Sequence, residues 1–221
     1  MPLLLNNISL SYERSLLTHV SVVAGYRFMP ETNLHDLALV RNLANRYNSS
    51  TADLDTKLRN STASNKAFTA EVRLYAGKHP GARGFYVSAY GRYANAQVDY
   101  TDQYESVENK TYRMPYSSSL HGVGGGLMFG AQWLLARRIT LDWYIIGAHY
   151  GTMKGDITAA TNLSHMSQAE QAGLEEDLEH FVKLGNRYQL EATVDDRGVS
   201  ATTDAPFVGI RGFGLNFGIA F

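Results

Sequence analysis

Seven separate stretches of this chain alternate between large apolar residues and small or polar ones, a period of two that fits only β-strands. The last is the barest: in "GFGLNFGIAF", Phe213, Leu215, Phe217, Ile219 and Phe221 share one face, and Gly214, Asn216, Gly218 and Ala220 form the other. "ISLSYER" sets Ile8, Leu10 and Tyr12 against Ser9, Ser11 and Glu13, and "VSVVAGYRF" sets Val20, Val22, Ala24, Tyr26 and Phe28 against Ser21, Val23, Gly25 and Arg27. "FTAEVRLYA" opposes Phe68, Ala70, Val72, Leu74 and Ala76 to Thr69, Glu71, Arg73 and Tyr75. "FYVSAYGRY" opposes Phe85, Val87, Ala89, Gly91 and Tyr93 to Tyr86, Ser88, Tyr90 and Arg92. In "HGVGGGLMFGAQW", Val123, Leu127, Phe129 and Trp133 face away from Gly122, Gly124, Gly126, Gly130 and Gln132. In "ITLDWYIIGAHYG", Ile139, Leu141, Trp143 and Ile145 face away from Thr140, Asp142, Tyr144, Ile146 and Tyr150.

A half-buried strand of a soluble sandwich turns a charged or hydroxyl-rich face to water. The second faces here are small and sparsely polar, which suits strands with lipid outside and a narrow packed interior. Each stretch has the length a tilted strand needs to cross a bilayer. Charged residues make up 19% of the chain, against a usual share of about a quarter, as expected of a body with much surface away from water. No run of about 18 apolar residues exists, so a transmembrane helix is excluded from the sequence.

The connections alternate in length. "SLLT", "KHPGAR" and "LLARR" are tight turns, and long links lie between them at 30–66, 99–118 and 153–206. Short turns on one rim and long loops on the other are the habit of outer-membrane barrels, and both ends of such a barrel face the periplasm only if the strand number is even. Seven strands are legible. The eighth would precede Ile8, with "MPLLL" as its tail and Asn6–Asn7 as its hairpin turn, so the sequence is expected to begin inside or just before a truncated first strand. "MPLLLNNISL" lacks a charged segment followed by a long apolar core, so a signal peptide is expected to be missing from the sequence. The fold expected is all-β: one domain over 1–221, an eight-stranded antiparallel transmembrane β-barrel with long, partly helical extracellular loops.

Two loop segments carry helical periodicity. "SQAEQAGLEEDLEHFVKLG" has Ser167 as N-cap with Glu170 completing a capping box, Leu174, Leu178, Phe181 and Val182 as its stripe, and Gly185 as its C-cap. "NLHDLALVRNLANRY" has a weaker stripe of Leu37, Val40, Leu43 and Tyr47. "YQLEATVDDRGVSATT" reads as a hairpin turning at Asp195 to Gly198, placed above the membrane because a crossing there would make the strand count odd.

Six charged residues fall on the expected lumen face: Glu13, Arg27, Glu71, Arg73, Arg92 and Asp142. A charge buried alone is costly, so three acids and three bases in a narrow lumen should pair, with Tyr75, Tyr86, Tyr90, Tyr144 and Gln132 completing the hydrogen bonds. The network reads either as a static plug that fixes register, which is favoured, or as a gate. Strict alternation puts Arg211 on the lipid face, where it snorkels at the outer rim or follows a Gly bulge. It also puts Ser119, His121 and His149 on the lipid side with no acid beside them, so no catalytic residue is assigned. The seven histidines are scattered without ligand spacing, there is no cysteine, and the net charge is −1; no metal site, cofactor or nucleic-acid partner is expected.

At "SYER", "EVRLYAGKHPGARGFYVSAYGRY", "GGGLMFGAQWLLARRITLDWYIIGAHYG" and "GIRGFGLNFGIAF", the chain resembles the small outer-membrane β-barrel proteins of Bacteroidota, a family of uncharacterised function. The resemblance runs from about Ser11 to Phe221 and skips the long loops. It implies an eight-stranded barrel in the outer membrane of a Gram-negative bacterium and assigns no activity. Members carry a signal peptide, a complete first strand, and a Pro before the Glu of "EVR", where this chain has Ala70. The alternating C-terminus that ends on Phe221 resembles the signal read by barrel-assembly machinery. The expected function is a structural or protein-interaction role as a subunit or scaffold. The partners expected are outer-membrane lipid and lipopolysaccharide, barrel-assembly machinery, and another outer-membrane or surface protein bound through the loops. A narrow gated pore for ions or small solutes is the alternative, and a lipid-A-modifying enzyme comes third.

Overall fold

The computed structural model describes residues 7–37, 56, 58–105, 110–181 and 189–221. Nine strands form one antiparallel sheet: β1 Ile8–Leu17, β2 Val20–Asn33, β3 Ser61–Tyr75, β4 Gly84–Glu105, β5 Thr111–Leu135, β6 Ile139–Ala160, β7 Gln189–Asp195, β8 Gly198–Pro206 and β9 Gly209–Ile219. The α-helix α1 Gln168–Phe181 lies between β6 and β7. The pairing order is β1-β2-β3-β4-β5-β6-β8-β7, with β9 also on β6. β6 is long enough for two partners: Ile139–His149 pair with β9 and Thr152–Ala160 with β8. At the junction the Phe207 amide donates to Gly151 O at 2.9 Å, so β8 and β9 run end to end as one interrupted strand.

The sheet is rolled. Arg73 on β3 reaches Glu13 on β1 at 3.4 Å and Asp142 on β6 at 3.0 Å, contacts between strands that are not neighbours in the sheet. The two edges approach each other, with the rings of Tyr12 and Phe221 6.4 Å apart. No ladder joins β1 to β9 among the described residues, and the sheet is not closed. The expected eight-stranded closure is therefore absent, for a topological reason. Seven strands in antiparallel succession leave β1 and β9 running the same way, so an antiparallel ladder cannot join them directly. A cavity of about 820 Å³ lies along this seam, between Ser9–Ser15 and Leu215–Phe221.

Burial is inverted relative to a water-soluble sandwich. The concave face buries Ser21, Thr69, Glu71, Ser88, Gln132, Asp142 and, at 1% exposure, Arg73, together with Tyr75, Tyr86, Tyr90, Met128 and Tyr144. The convex face exposes Leu10, Phe68, Leu74, Phe85, Val123, Leu127, Phe129 and Phe217, with Leu127 at 58% and Phe217 at 77%. A second, apolar core lies where β4, β5 and β6 run on together: Met114, Tyr116, Ala159, Leu163, Met166, Leu174, Val194 and Val199. There Tyr100 and Tyr116 stack at 4.7 Å, and burial, reinforced by Tyr100, pushes the Tyr116 phenol up to about 12.

The strands are longer than the alternation suggests. The β4–β5 ladder continues from Asp99↔Ser117 to Glu105↔Thr111, through most of the expected 99–118 loop. One face there, with Tyr112, Met114 and Tyr116, turns toward the second core while Thr111, Arg113 and Ser117 stay outside; ladder hydrogen bonds and paired tyrosines carry the strand. Likewise β2 and β3 extend to Asn33 and from Ser61, within the expected 30–66 loop, and β6 continues to Ala160 in the 153–206 segment. The 195–198 hairpin is present as β7–β8, and Ser167 and Glu170 form a capping box: the Ser167 amide donates to Glu170 Oε2 at 2.9 Å and the Glu170 amide to Ser167 Oγ at 3.3 Å. Leu174 is buried and Leu178 packs on the second core. Val182 and Gly185 lie outside the described residues, as does most of the helix expected at 33–47, of which a 3-10 turn at Leu34–Asp36 is described.

Candidate functional site

Arg73 is the hub of the concave face. β3 alternation sends Glu71, Arg73 and Tyr75 inward together, and the roll of the sheet brings β1, β5 and β6 to them. Arg73 Nε donates to Glu71 Oε2 at 3.1 Å, and Nη1 lies 3.0 Å from Asp142 Oδ2, 3.1 Å from Gln132 Oε1 and 3.4 Å from Glu13 Oε2. Nη2 donates to the Tyr144 hydroxyl at 3.2 Å, and the guanidinium lies over the Tyr86 ring at 4.4 Å. The remaining carboxylate oxygens are also occupied. Glu13 Oε1 accepts from Tyr75 at 2.7 Å and from Ser21, Asp142 Oδ1 accepts from Tyr86 at 2.9 Å, and Glu71 Oε1 accepts from Arg211 at 2.5 Å. Gly130 makes room for this: a Cβ there would collide with the Tyr86 ring that lies across β5 toward Asp142.

Every oxygen of the three carboxylates thus has a donor. Such a cluster offers no free base and no open nucleophile; chemically it is a cross-brace joining β1, β3, β5, β6 and β9. Of the six lumen residues expected from the sequence, the structure brings Glu13, Glu71, Arg73 and Asp142 together. Arg27 and Arg92 also face the concave side but stand apart from the brace, facing a cavity of about 510 Å³.

Two members of the site escape strict alternation. Arg211 is on the concave face, not the convex one, because the phase of β9 inverts at Gly212–Phe213, where Phe213 has φ 53°. The Gly-rich run "GIRGFG" is the signal for it, since such residues accommodate bulges. His149 is also inside, because Ile145 is an extra residue in β6: Phe129 pairs with Ile146 but Gly130 pairs with Tyr144. The shift turns Ile146 and Tyr150 outward, opposite to the expectation, and buries His149 with its Nδ1 3.2 Å from the Tyr90 hydroxyl. Two adjacent isoleucines in "WYIIGAH" are the visible trace of that bulge.

Ser119 and His121 stay on the exposed face and are not joined by His149. Asn95 Nδ2 lies 2.9 Å from His121 Nδ1, and His121 Nε2 lies 3.4 Å from Ser119 Oγ. The partners of the His121 ring among the described residues are Asn95 and Ser119, neither of them a carboxylate. Among the described residues no group of three His, Cys, Asp or Glu could hold a metal ion. Phe213, Leu215, Phe217, Ile219 and Phe221 all point outward from the β9 edge and are exposed. Comparison with protein-family models, with curated proteins and with solved structures finds no match for this chain.

Proposed function

We propose that the chain is an integral outer-membrane β-barrel protein of a Gram-negative bacterium, serving as a structural or scaffold subunit that presents a folded platform to a protein partner. The inverted burial supports this reading: a guanidinium at 1% exposure inside and an apolar convex face outside suit an apolar outer solvent better than water. An eighth strand in the β1–β9 seam would be antiparallel to both edges and would complete an even-stranded barrel. Phe213 to Phe221 then line the closing strand and offer themselves to barrel-assembly machinery.

A scaffold role is supported over a channel by two features. The brace around Arg73 spans the interior at its own level, joining strands on opposite sides, as side chains fill the narrow lumen of an eight-stranded barrel. Strands β4, β5 and β6 have 22, 25 and 22 residues, against the 9–11 or so that a tilted strand needs to cross a bilayer. Their excess length and α1 surround the second apolar core, and that folded projection is the surface offered to a partner.

Leu127→Arg tests the membrane placement. On a water-exposed face it changes stability by less than about 0.5 kcal/mol, and at mid-bilayer it costs about 2–4 kcal/mol. A neutral result in reconstituted vesicles refutes the placement. For the partner, mild detergent extraction of cells carrying a tag between Asn48 and Leu54, followed by mass spectrometry, should recover one stoichiometric protein. A lone barrel that conducts in planar bilayers would instead favour a pore.

A further inference from the structure

The brace leaves positive charge over. With Arg211 turned inward, the concave face holds four arginines (Arg27, Arg73, Arg92 and Arg211) against three carboxylates (Glu13, Glu71 and Asp142), and the excess is not spread evenly. Arg73 gathers all three acids, and the second oxygen of Glu71 is taken by Arg211. Arg27 and Arg92 are left with neither a hydrogen-bond nor an ion-pair partner among the described residues, and the Nε of each is buried and unpaired. Both line the 510 Å³ cavity together with Arg211 and His149, a volume in the range of about 300–1,000 Å³ usual for small-molecule sites. The charges of Arg27 and Arg211 act directly on Arg92. Half-buried like charges around one cavity, two of them with a buried, unpaired Nε, favour a counter-charge beyond the one carboxylate, Glu71, that lines it and is already bound by Arg73 and Arg211.

We propose that Arg27, Arg92 and Arg211 form a binding site for a phosphate group. Guanidinium forks match the geometry of phosphate oxygens, and three of them around one cavity suit a dianionic phosphomonoester better than a lone carboxylate. The cavity is walled partly by Ser9 and Ser11 of β1 and by Gly209 to Gly214 of β9, so it reaches the seam between the two sheet edges. A phosphorylated lipid headgroup could enter through the seam, and a free phosphate from the projecting end. The chemistry is the same for both. The three arginines that would hold the phosphate all lie on the concave side of the cavity, whose rim includes Tyr26 and Ile210.

The test titrates inorganic phosphate into the purified protein in non-ionic detergent by calorimetry. In parallel, phosphatidic acid is added to the same micelles and retained lipid is read by native mass spectrometry. Arg92→Gln should weaken the phosphate ligand about tenfold or more, the worth of one lost charge-assisted hydrogen bond, and Arg27→Gln with Arg92→Gln should abolish binding. In phosphate-free buffer Arg92→Gln should melt higher than the wild type, since it relieves repulsion; a merely structural arginine would lower the melting temperature. Binding of phosphatidic acid alone assigns the site to a lipid headgroup, and binding of inorganic phosphate assigns it to a soluble anion. Binding of neither, or binding that the double variant leaves unchanged, overturns the proposal.

Discussion

Replacing Arg73 with Met removes the only cation that reaches Glu13 and Asp142 among the described residues. Glu71 keeps Arg211, Glu13 keeps the Tyr75 and Ser21 hydroxyls, and Asp142 keeps Tyr86. Asp142, buried, and Glu13, half-buried, are then held by neutral donors alone. Breaking one buried pair by removing a partner costs about 3–5 kcal/mol, and losing the cation over the Tyr86 ring adds about 1 kcal/mol. Proton uptake by one of the carboxylates limits the total, so Arg73→Met should destabilise by about 4–6 kcal/mol. Urea unfolding in vesicles, followed by the fluorescence of Trp133 and Trp143, measures it; these rings stack at 6.4 Å on β5 and β6, the strands that carry Gln132 and Asp142. The decisive comparison is Asp142→Asn in two backgrounds. Alone it breaks a satisfied pair and destabilises; with Arg73→Met it removes an orphaned charge and should recover about 1–3 kcal/mol. A loss below about 0.5 kcal/mol for Arg73→Met, or the same cost for Asp142→Asn in both backgrounds, refutes the brace.

Gly130→Ala should cost about 1–3 kcal/mol by driving a methyl group into the Tyr86 ring and against the Trp143 carbonyl, and Tyr86→Ala in the same chain should relieve the ring part of that clash in an unfolding cycle. Ser167→Ala removes the cap of α1 and should cost that helix about 1 kcal/mol, read as faster amide exchange over residues 168–181 with no change in β3 or β6. Tyr116 keeps its proton in the folded state up to a pH of about 12 while an unfolded tyrosine ionises near 10. Stability of the projecting core is therefore present below pH 10 and lost as pH rises from about 10 to 12; phenolate absorbance with near-ultraviolet dichroism follows it, and Tyr116→Phe should move the loss to higher pH. Phe221→Ser should lower the heat-modifiable, folded fraction recovered from cell envelopes without altering the stability of protein refolded in detergent. Equal recovery of both forms would remove the assembly role of the C-terminus.

Much of this molecule is written locally in its sequence. Side-chain direction in a strand depends only on the neighbouring backbone, so alternation alone sends Glu13, Arg27, Glu71, Arg73, Arg92 and Asp142 to one face and Phe213 to Phe221 to the other. The capping box of Ser167 and Glu170 is equally local, being closed within one turn. Alternation fails where the backbone gains a residue or a left-handed step: Ile145 and Phe213 each invert the phase of the strand beyond them, moving His149 and Arg211 inward. It is also easily missed in the projecting ends of β4 and β5, where tyrosines with Met114 supply the buried face and the ladder defines the strand. Tertiary structure alone decides which charges meet. Arg73 and Asp142 are 69 residues apart and Arg211 and Glu71 are 140 apart, so their pairing follows from the roll and register of the whole sheet. The same roll leaves Arg27 and Arg92 without acids, because the three carboxylates that balance them on paper are all drawn to Arg73 and Arg211. A sequence can count charges on a face; distance across the rolled sheet decides which of them neutralise each other.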